Sequence, residues 1–385
     1  MPILSPYILY LAYLINEPFE YLLRKHYLKI AKVKLEKCDV VKIGITGSYA
    51  KTTVKEILKT ILSQKYRVLA TPQSYNTPLG IALSVKKLDN TYDIFLAEMG
   101  ARFRGDIKTL AKLVNPSIGI LTGINNQHLE SFNSMENLMD TKFELFEELD
   151  SGGMAFFNTD SEGARTLSQR FKGNKFISSI NNSDGLVTAE NIEINNKGTS
   201  FILKIKGEKP QKCNTVLLGE HSVSNICLAS SVAYKLGLSV SEIAQGISRI
   251  QTINHRLELV PNNKNIVIID DSYNSNEDGI KAAMDVLDTF SGRKIVLTPG
   301  LIELGKMSNL LNFEFGKLLA KHADIVIIVG KTNAEMLLSG LLEGGKSRDN
   351  IYFEKSVTRG NEVLNSILKE GDVVLFENDL PDNYN

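Results

Sequence analysis

The sequence predicts an α/β protein with two parallel-sheet domains and a short helical segment at its N-terminus. Its 385 residues exceed one average domain, since a domain usually holds roughly 100–200 residues. Short β-branched runs alternate with amphipathic helices in two separate stretches, and the alternation breaks near residues 253–261. Strands that alternate with helices form parallel sheets covered by helices. We therefore expect an N-terminal segment over residues 1–38, a central domain over 39–252 and a Rossmann-like C-terminal domain over 253–385.

The two alternating stretches predict individual elements. In the central stretch, strands are predicted at 40–46, 93–98, 117–122 and 153–158, and helices at 53–63, 135–149 and 222–236. Residues 191–206 predict a two-stranded excursion around an Asn-Asn-Lys-Gly turn. In the C-terminal stretch, strands are predicted at 266–270, 294–298, 325–329 and 373–376, and helices at 278–290, 312–321, 333–342 and 358–368. That stretch has no G-x-G-x-x-G motif, so dinucleotide binding has no support.

Composition and cysteine usage restrict the class of protein. Lys plus Arg and Asp plus Glu both number 44, so the net charge is zero and gives no electrostatic support for a nucleic-acid partner. The spacing of Cys38, Cys213 and Cys227 fits neither a zinc site nor a disulfide framework. Three unpaired thiols are typical of a reducing compartment. We therefore expect a cytoplasmic protein that does not bind nucleic acid.

The N-terminal segment is apolar and then basic. The apolar run over residues 3–15 is shorter than the roughly 20 residues that a spanning helix needs. It lacks a preceding basic residue and a following small-residue cleavage site, which argues against a signal peptide. Residues 19–30 then follow a helical pattern, among the basic residues Arg24, Lys25, Lys29, Lys32, Lys34 and Lys37. Two interpretations stay open: peripheral contact with an anionic membrane surface, or packing onto the central domain.

The strongest local motif is Thr46-Gly47-Ser48-Tyr49-Ala50-Lys51-Thr52-Thr53. It follows a predicted strand and begins a predicted helix, which is the context of a phosphate-binding loop. In such a loop the backbone N–H groups face the phosphates, Lys51 reaches the β- and γ-phosphates, and the Thr52 hydroxyl binds Mg²⁺. The strict G-x-x-x-x-G-K-[ST] pattern fails at Ile45 and Ala50. The alternative is an ordinary strand–turn–helix with a surface lysine.

This loop resembles the T-G-S-x-G-K-T loop of the Mur ligases, the ATP-dependent enzymes that extend the peptidoglycan stem peptide. Other segments resemble that family in the same order along the chain. They are residues 71–80 with Asn76, 97–101 with Glu98, 126–132 with His128, 141–146 with Lys142, 219–225 with Asn225, 255–257 with Arg256, and 270–276 with Asp271 and Asn274. Together they most resemble the MurF-type branch, which adds D-alanyl-D-alanine to the tripeptide precursor.

The resemblance implies ATP and Mg²⁺ as cofactors, with a central domain similar to P-loop ATPases. It also implies roles for single residues. Thr52, Glu98, His128 and a carbamylated Lys142 would bind magnesium; Lys51, His128 and Lys142 would be catalytic; residues 47–53, Asn225, Arg256, Asp271 and Asn274 would bind ATP; and Asn76 would bind substrate.

The residues alone leave simpler interpretations open. Glu98 ends a predicted buried strand, where a free carboxylate is costly unless it is paired or binds metal; otherwise it caps the next turn. His128 could be a surface-loop histidine, and Lys142 lies beside Asp140 and Glu144 as on a solvated helix face. His221 and Asn225 could form only a helix N-cap region.

The sequence departs from the family at three places. Ala50 replaces a glycine: either it has a positive φ and is strained by roughly 1 kcal/mol, or the loop takes a conformation that tolerates alanine. Roughly 40 residues precede the loop, too few for the UDP-sugar domain that normally begins such enzymes. The K-x-S-R-like C-terminal end is also absent from residues 375–382.

We expect a monomeric ATP-dependent carbon–nitrogen ligase that forms ADP through an acyl phosphate. Its expected substrates are a carboxylate acceptor such as a muramoyl peptide and an amino acid or dipeptide such as D-Ala-D-Ala, in peptidoglycan precursor synthesis. One alternative is a nucleotide-binding regulatory or scaffold protein with a degenerate site, which Ala50 and the missing sugar domain favour. Another is a simple P-loop NTPase, against which the Arg256/Asp271 pair and the separate C-terminal domain argue.

Overall fold

A computed structural model describes residues 5–73, 75–125, 132, 134–262, 265–273, 276–302 and 304–378. In these residues, a nine-stranded sheet lies within residues 41–215 and a six-stranded sheet lies within residues 258–377. One long helix precedes both sheets. The predicted α/β class, with two parallel-rich sheets and a helical N-terminus, is confirmed.

The central sheet is parallel over most of its width. Its strands are β1 (Val41–Thr46), β2 (Val68–Ala70), β3 (Ile94–Glu98), β4 (Ile118–Leu121), β5 (Met154–Asn158), β6 (Asn174–Ser178), β7 (Val187–Asn195), β8 (Gly198–Ile205) and β9 (Gln211–Thr215). They are ordered β2-β3-β1-β4-β5-β6-β7-β8-β9, and only the β7-β8-β9 part is antiparallel. The connection from β1 runs to β2 on one side of this order, and the connection from β3 runs to β4 on the other side of β1. Such a reversal is the place at which α/β sheets bind ligands, beyond the carboxyl ends of their strands.

Helices cover both faces of the central sheet. They are α1 (Ser5–Lys37), α2 (Lys51–Leu62), α3 (Pro78–Val85), α4 (Asp106–Val114), α5 (Met135–Glu147), α6 (Glu162–Arg170), α7 (Glu220–Lys235) and α8 (Val240–Ser248). Ile43 and Ile45 point into one core with α2, α7 and α8, whereas Phe95 and Ala97 point into the other with α3 to α6. Burial on both faces explains why β1, β3 and β4 are mostly apolar along their length.

The C-terminal sheet has the order β10-β11-β15-β12-β13-β14. Its strands are β10 (Glu258–Leu259), β11 (Val267–Asp271), β12 (Lys294–Thr298), β13 (Ile325–Val329), β14 (Ile351–Glu354) and β15 (Val373–Glu377). Its helices are α9 (Glu277–Asp288), α10 (Ser308–His322), α11 (Ala334–Glu343) and α12 (Val357–Ile367), with 3₁₀ turns at Gly305–Met307 and Arg348–Asn350. Only β10 is antiparallel to its neighbour.

Helix α1 is continuous through Pro18, where the sequence suggested an apolar run followed by a separate helix. Its C-terminal part packs on the central domain: Ala31 and Leu35 are buried against α3 and α4, and the Lys86 ammonium lies 4.1 Å from the centre of the Tyr27 ring. Residues 16–26 are all exposed. Among the described residues, each helix is too short or too polar to cross a membrane.

The sequence analysis predicted no element at strands β2, β6, β9, β10 and β14 or at helices α3, α4, α6 and α8. Strands β2 and β10 hold three and two residues, too few for a visible alternation. The predicted hairpin forms β7 and β8, but β9 extends it and a single residue pair, Ser178 and Val187, joins it to β6. The predicted excursion is therefore part of the central sheet.

Candidate active site

The loop between β1 and α2 is held by the neighbouring strand β4. A side chain at Gly47 would lie 2.1 Å from Thr122 Oγ1, so only glycine fits there. Ser48 donates its backbone N–H to the Gly123 carbonyl over 2.8 Å, and the Thr122 hydroxyl donates to the Tyr49 carbonyl. The N-terminus of α2 follows at once, so its free N–H groups and its dipole favour an anion at this loop.

Ala50 adopts the left-handed conformation, with φ 58° and ψ 6°, at the N-cap of α2. The sequence left two possibilities for this position, and the strained one is correct. The loop therefore keeps the geometry that glycine would favour, at a cost of about 1–2 kcal/mol for a residue with a Cβ.

Lys51 curls back over the loop. Its ammonium donates to the carbonyls of Gly47 over 2.8 Å and Ser48 over 3.0 Å. Desolvation lowers the pKa of Lys51 to about 8; the Glu98 carboxylate opposes this shift and the Arg256 guanidinium adds to it. The loop carbonyls thus hold the Lys51 ammonium next to the N-terminus of α2, where an anion would be favoured.

Glu98 lies at the carboxyl end of β3 and is 1% exposed. Three side chains donate to its carboxylate: Thr52 to Oε2 over 2.9 Å, Lys55 to Oε2 over 3.2 Å, and Asn76 to Oε1 over 3.2 Å. This pairing is what a buried carboxylate requires. The structure therefore brings together the predicted Thr52, Glu98 and Asn76.

Lys55 was missed by sequence reasoning. It is fully buried on the face of α2 that carries Val54 and Leu58. The signal was present, because a lysine on the apolar face of an amphipathic helix must find a partner or reach solvent.

Lys142 is buried in α5, at 2% exposure, and not on the solvated helix face that its neighbours suggested. Its ammonium lies 5.9 Å from the centre of the Phe132 ring. Burial lowers the pKa of Lys142 to about 7; the charge of Lys51 adds to this shift, and Asp106 and Glu144 oppose it. Glu144 itself accepts the N–H groups of Gly105 and Lys108 at the start of α4. A neutral amine is thus accessible at Lys142 near neutral pH.

A cavity of about 1190 Å³ lies next to the phosphate loop, between the two domains. Tyr49, Ala50, Thr53, His221 and Asn225 line it from the central domain. Arg256, Leu257, Asp271, Asn276 and Asp278 line it from the C-terminal part. Its size suits a nucleotide-sized ligand.

The C-terminal wall of the cavity carries two opposite charges, the partly buried Arg256 and the buried Asp271. The Arg256 guanidinium lies 4.0 Å from the centre of the Tyr273 ring, and Asp271 accepts the Leu257 N–H over 3.1 Å. Burial raises the pKa of Asp271 to about 6, and the Arg256 charge opposes that shift. His255 and Leu257, on either side of Arg256, both have left-handed φ values of 59° and 46°.

On the central wall, His221 and Asn225 both face the cavity at the start of α7. Gly219 holds the N-cap position of that helix, so His221 does not cap it. Desolvation within the cavity lowers the pKa of His221 and the Arg256 charge adds to the shift, although the side chain itself stays exposed to the open cavity. The imidazole is therefore neutral at physiological pH.

His128 and Asn274 lie outside the described residues. Gly47 and Ser48 lie in the loop itself and Lys142 lies in α5, and the remaining predicted site residues form two neighbouring groups. Lys51, Thr52, Asn76 and Glu98 lie at the carboxyl edge of β1 and β3, and Tyr49, Ala50, Thr53, Asn225, Arg256 and Asp271 line the cavity.

A phosphate loop, a carboxylate paired beside it and a cavity between two α/β domains define a two-domain nucleotide-binding protein. The sequence matches the Mur ligase middle domain over residues 45–233. It matches the Mur ligase, glutamate ligase domain over residues 255–377. The chain therefore belongs to the Mur ligase family.

Individual relatives agree with this assignment. The UDP-N-acetylmuramoyl-tripeptide--D-alanyl-D-alanine ligase of Buchnera aphidicola subsp. Baizongia pistaciae is 29% identical over 313 residues, which cover 81% of this chain and 68% of that protein. The Bacillus subtilis protein of that name is 27% identical over 361 residues, which cover 91% of this chain and 75% of that protein. The crystal structure of MurF ligase from Thermotoga maritima in complex with ADP is 25% identical, with a TM-score of 0.81, and the match covers 92% of this chain and 80% of that one.

The strain at Ala50 is directly testable. We predict that Ala50→Gly stabilises the protein by about 0.5–1 kcal/mol, because relief of the left-handed penalty exceeds the entropy that glycine adds to the unfolded chain. Urea unfolding of the central domain measures the change. Ala82→Gly, inside α3, is the control and should destabilise by about 1 kcal/mol. Destabilisation by both variants would contradict the strain.

Proposed function

We propose that this chain is an ATP-dependent, ADP-forming carbon–nitrogen ligase that acts in peptidoglycan precursor synthesis. The observation that carries the proposal is the convergence of Lys51, Thr52 and Glu98 beside the cavity between the domains. We divide the chain for this purpose into residues 1–38, a central domain over 39–252 and a C-terminal domain over 253–385. The division follows the two sheets and the break before β10.

The proposed reaction has two steps. An acceptor carboxylate oxygen attacks the γ-phosphorus of ATP; the bond to the β,γ-bridging oxygen breaks, giving an acyl phosphate and ADP. The amine nitrogen of the second substrate then attacks the acyl carbon, phosphate leaves with the bonding electrons, and the nitrogen loses a proton. Phosphoryl transfer depends on positioning and on compensation of negative charge. The Lys51 ammonium supplies the compensating positive charge at the phosphate loop.

The residues present fit Mg²⁺. Among the described residues, no group of three or more His, Cys, Asp or Glu side chains is placed to hold a metal ion. Mg²⁺ with a nucleotide is usually held by one or two carboxylates together with phosphate oxygens, and Glu98 with the Thr52 hydroxyl offers such oxygen atoms. When bound, Mg²⁺ would neutralise charge on the phosphates. We propose His128 and Lys142 as further ligands.

For Lys142 we propose carbamylation. The neutral amine attacks the carbon of CO₂ and loses a proton, which leaves a carbamate with two oxygen atoms. Burial favours this product by keeping the amine partly neutral near pH 7. The positive charge of Lys51 disfavours the Lys142 ammonium and would favour the carbamate anion in its place.

For the nucleotide we propose residues 47–53, Asn225, Arg256, Asp271 and Asn274. Arg256 and Asp271 would contact it from the C-terminal wall, and Asn225 from the central wall. Arg256 is held by the Tyr273 ring and by the charge of Asp271, so it is preorganised for an anionic or planar ligand.

For the substrates we propose a muramoyl peptide carboxylate and D-Ala-D-Ala or a related amine, because the relatives named above are ligases of D-alanyl-D-alanine. Asn76 would contact the acceptor side, since it joins Glu98 from the loop that precedes α3. We propose a monomer. The competing scaffold function would not need Lys51, Thr52 and Glu98 to lie together at the phosphate loop.

We also propose that α1 contacts the anionic inner face of the membrane from the cytoplasm. Its exposed part carries large apolar side chains, among them Phe19 at 64% and Leu22 at 61% exposure, together with exposed Arg24, Lys25 and Lys29. Aromatic and apolar groups beside basic residues suit a negatively charged bilayer surface. The alternative, packing on the central domain, describes the part that contains Ala31 and Leu35, whereas residues 16–26 are exposed.

The ligase proposal predicts a loss of turnover in Lys51→Met. Without the loop cation, phosphate release in the presence of ATP, a UDP-muramoyl peptide and candidate amines should fall by about 10³-fold or more. Mass spectrometry of the wild-type reaction identifies the amide product. Lys59→Met, on the exposed side of α2, is the control. Turnover in Lys51→Met equal to that of the wild type would rule out the phosphate-loop role.

Carbamylation predicts a pH dependence. With a pKa of about 7, Lys142 is mostly cationic below pH 6 and mostly neutral above pH 8, so the carbamate should increase as the pH rises through this interval. A ¹³C-bicarbonate NMR experiment should give a carbamate signal in the wild type and none in Lys142→Arg. Phosphate release should fall reversibly when CO₂ is removed. A wild-type spectrum without that signal at pH 8 would refute the proposal.

Membrane contact predicts charge-dependent vesicle binding. Reversal to glutamate at Arg24, Lys25 and Lys29 should weaken sedimentation with anionic phosphatidylserine vesicles by on the order of 100-fold, since each basic residue contributes about 1 kcal/mol. These side chains are exposed, so folding should persist. The matched control reverses the exposed Lys197, Lys206 and Lys209. If the wild type ignores such vesicles at low salt, α1 has no membrane role.

A further inference from the structure

Lys55 is a buried cation next to the phosphate loop that the proposed reaction does not use. It lies one turn after Lys51 on α2, and its side chain is 0% exposed. Its ammonium is 3.2 Å from Glu98 Oε2 and 3.6 Å from Glu56 Oε1, and it also donates to the Gln73 carbonyl. The Glu98 carboxylate and the Gln73 carbonyl thus both fix this side chain.

Stability alone is a weak explanation for such a pair. Removing two charges from water costs several kcal/mol per ion, and well-packed apolar residues usually stabilise a core at least as well as a buried ion pair. Lys55 lies among Val54, Leu58 and other apolar side chains of α2. A methionine of similar length would fill the same space. The pair therefore suggests a role in the geometry of the site.

Glu98 joins two parts of the site through its two oxygen atoms. Oε2 accepts from Thr52 and Lys55 of α2, and Oε1 accepts from Asn76. Asn76 also accepts the Gly100 N–H through its carbonyl, over 3.0 Å. The carboxylate is thus held between the phosphate-loop helix and the segment that precedes α3, described over residues 71–73 and 75–77.

The same segment is attached to Lys55 and to the backbone of Glu98. Gln73 presents its carbonyl to Lys55 from a left-handed conformation, with φ 44°. Thr71 accepts the Glu98 N–H through its hydroxyl over 3.1 Å. Thr77 then caps α3 by accepting the Gly80 N–H. Lys55 is the group of α2 that contacts both the carboxylate and this segment.

We propose that Lys55 is a positioning residue that orients the Glu98 carboxylate toward Thr52 and fixes it to the segment that carries Asn76. This inference rests on the proposed function, in which Glu98 and Thr52 hold Mg²⁺ and Asn76 faces the acceptor. Lys55 does not itself contact the phosphates; it acts through Glu98. An acceptor that moves Gln73 and Asn76 therefore also moves the carboxylate, which couples acceptor binding to metal binding.

The first test is Lys55→Met, which keeps the length and the apolar packing of the side chain. The readout is the Mg²⁺ dependence of ADP binding, measured by calorimetry over a range of Mg²⁺ concentrations. We expect the half-saturating Mg²⁺ concentration to rise about 10-fold, because a misplaced ligand weakens a hard-cation site. Lys59→Met, also on α2 but 46% exposed, should leave it unchanged.

Two outcomes of this test would overturn the proposal. Unchanged Mg²⁺ dependence with a lower melting temperature would assign Lys55 a structural role alone. Tighter Mg²⁺ binding would identify Lys55 as a cation that merely competes for Glu98. Either result stands whether or not the protein ligates any substrate, so it is distinct from a failure of the proposed ligase function.

Lys55→Met leaves the Glu98 charge buried without its lysine, which is costly and could prevent folding. A second comparison avoids this problem. Glu98→Gln is compared with the double variant Glu98→Gln/Lys55→Met, in which no charge is left unpaired. If Lys55 acts through Glu98, the two variants share one Mg²⁺ dependence of ADP binding. A further shift in the double variant would show that Lys55 acts on the metal or nucleotide directly, and would refute the positioning role.

Discussion

The buried carboxylate of Glu98 imposes conditions on the elements around it, because a charge at 1% exposure persists only with hydrogen-bonding partners or a cation. Three donors meet these conditions, from Thr52, Lys55 and Asn76. They come from α2 and from the segment before α3, so the carboxylate fixes the distance between these parts. The phosphate loop, the proposed metal site and the proposed acceptor side share this single group.

The sheet order makes that convergence possible. Strand β1 lies between β3 and β4, so the loop after β1 has the end of β3 on one side and the Thr122–Gly123 turn on the other. Thr122 leaves no space for a side chain at Gly47, and Gly123 accepts the Ser48 N–H. The loop is thus shaped by its neighbours, which is why Ala50 can hold a left-handed conformation that its own Cβ disfavours.

The sequence predicted the parts of the site that depend on local pattern. Gly47 to Thr53 form a recognisable strand–turn–helix motif. The glycine that the family carries at position 50 suggested the strained conformation of Ala50 as one of two possibilities. Burial depends on which faces meet: Lys142 has acidic neighbours in sequence, which left a solvated face open as an alternative, yet it is buried. Lys55 was missed although its place on the apolar face of α2 signals burial, and the three-residue β2 was too short to show a periodicity.

The C-terminal part of the site depends on the junction between the domains. Arg256 reaches the cavity from a backbone in which both of its neighbours, His255 and Leu257, have positive φ values. Such residues cost of order 1–3 kcal/mol each and persist only where surrounding contacts determine them. Here Asp271 accepts the Leu257 N–H, and Asp270 lies 2.9 Å from His255 Nδ1. Both acids end β11, so the C-terminal sheet itself holds the strained turn and thereby aims Arg256 at the phosphate-loop side of the cavity.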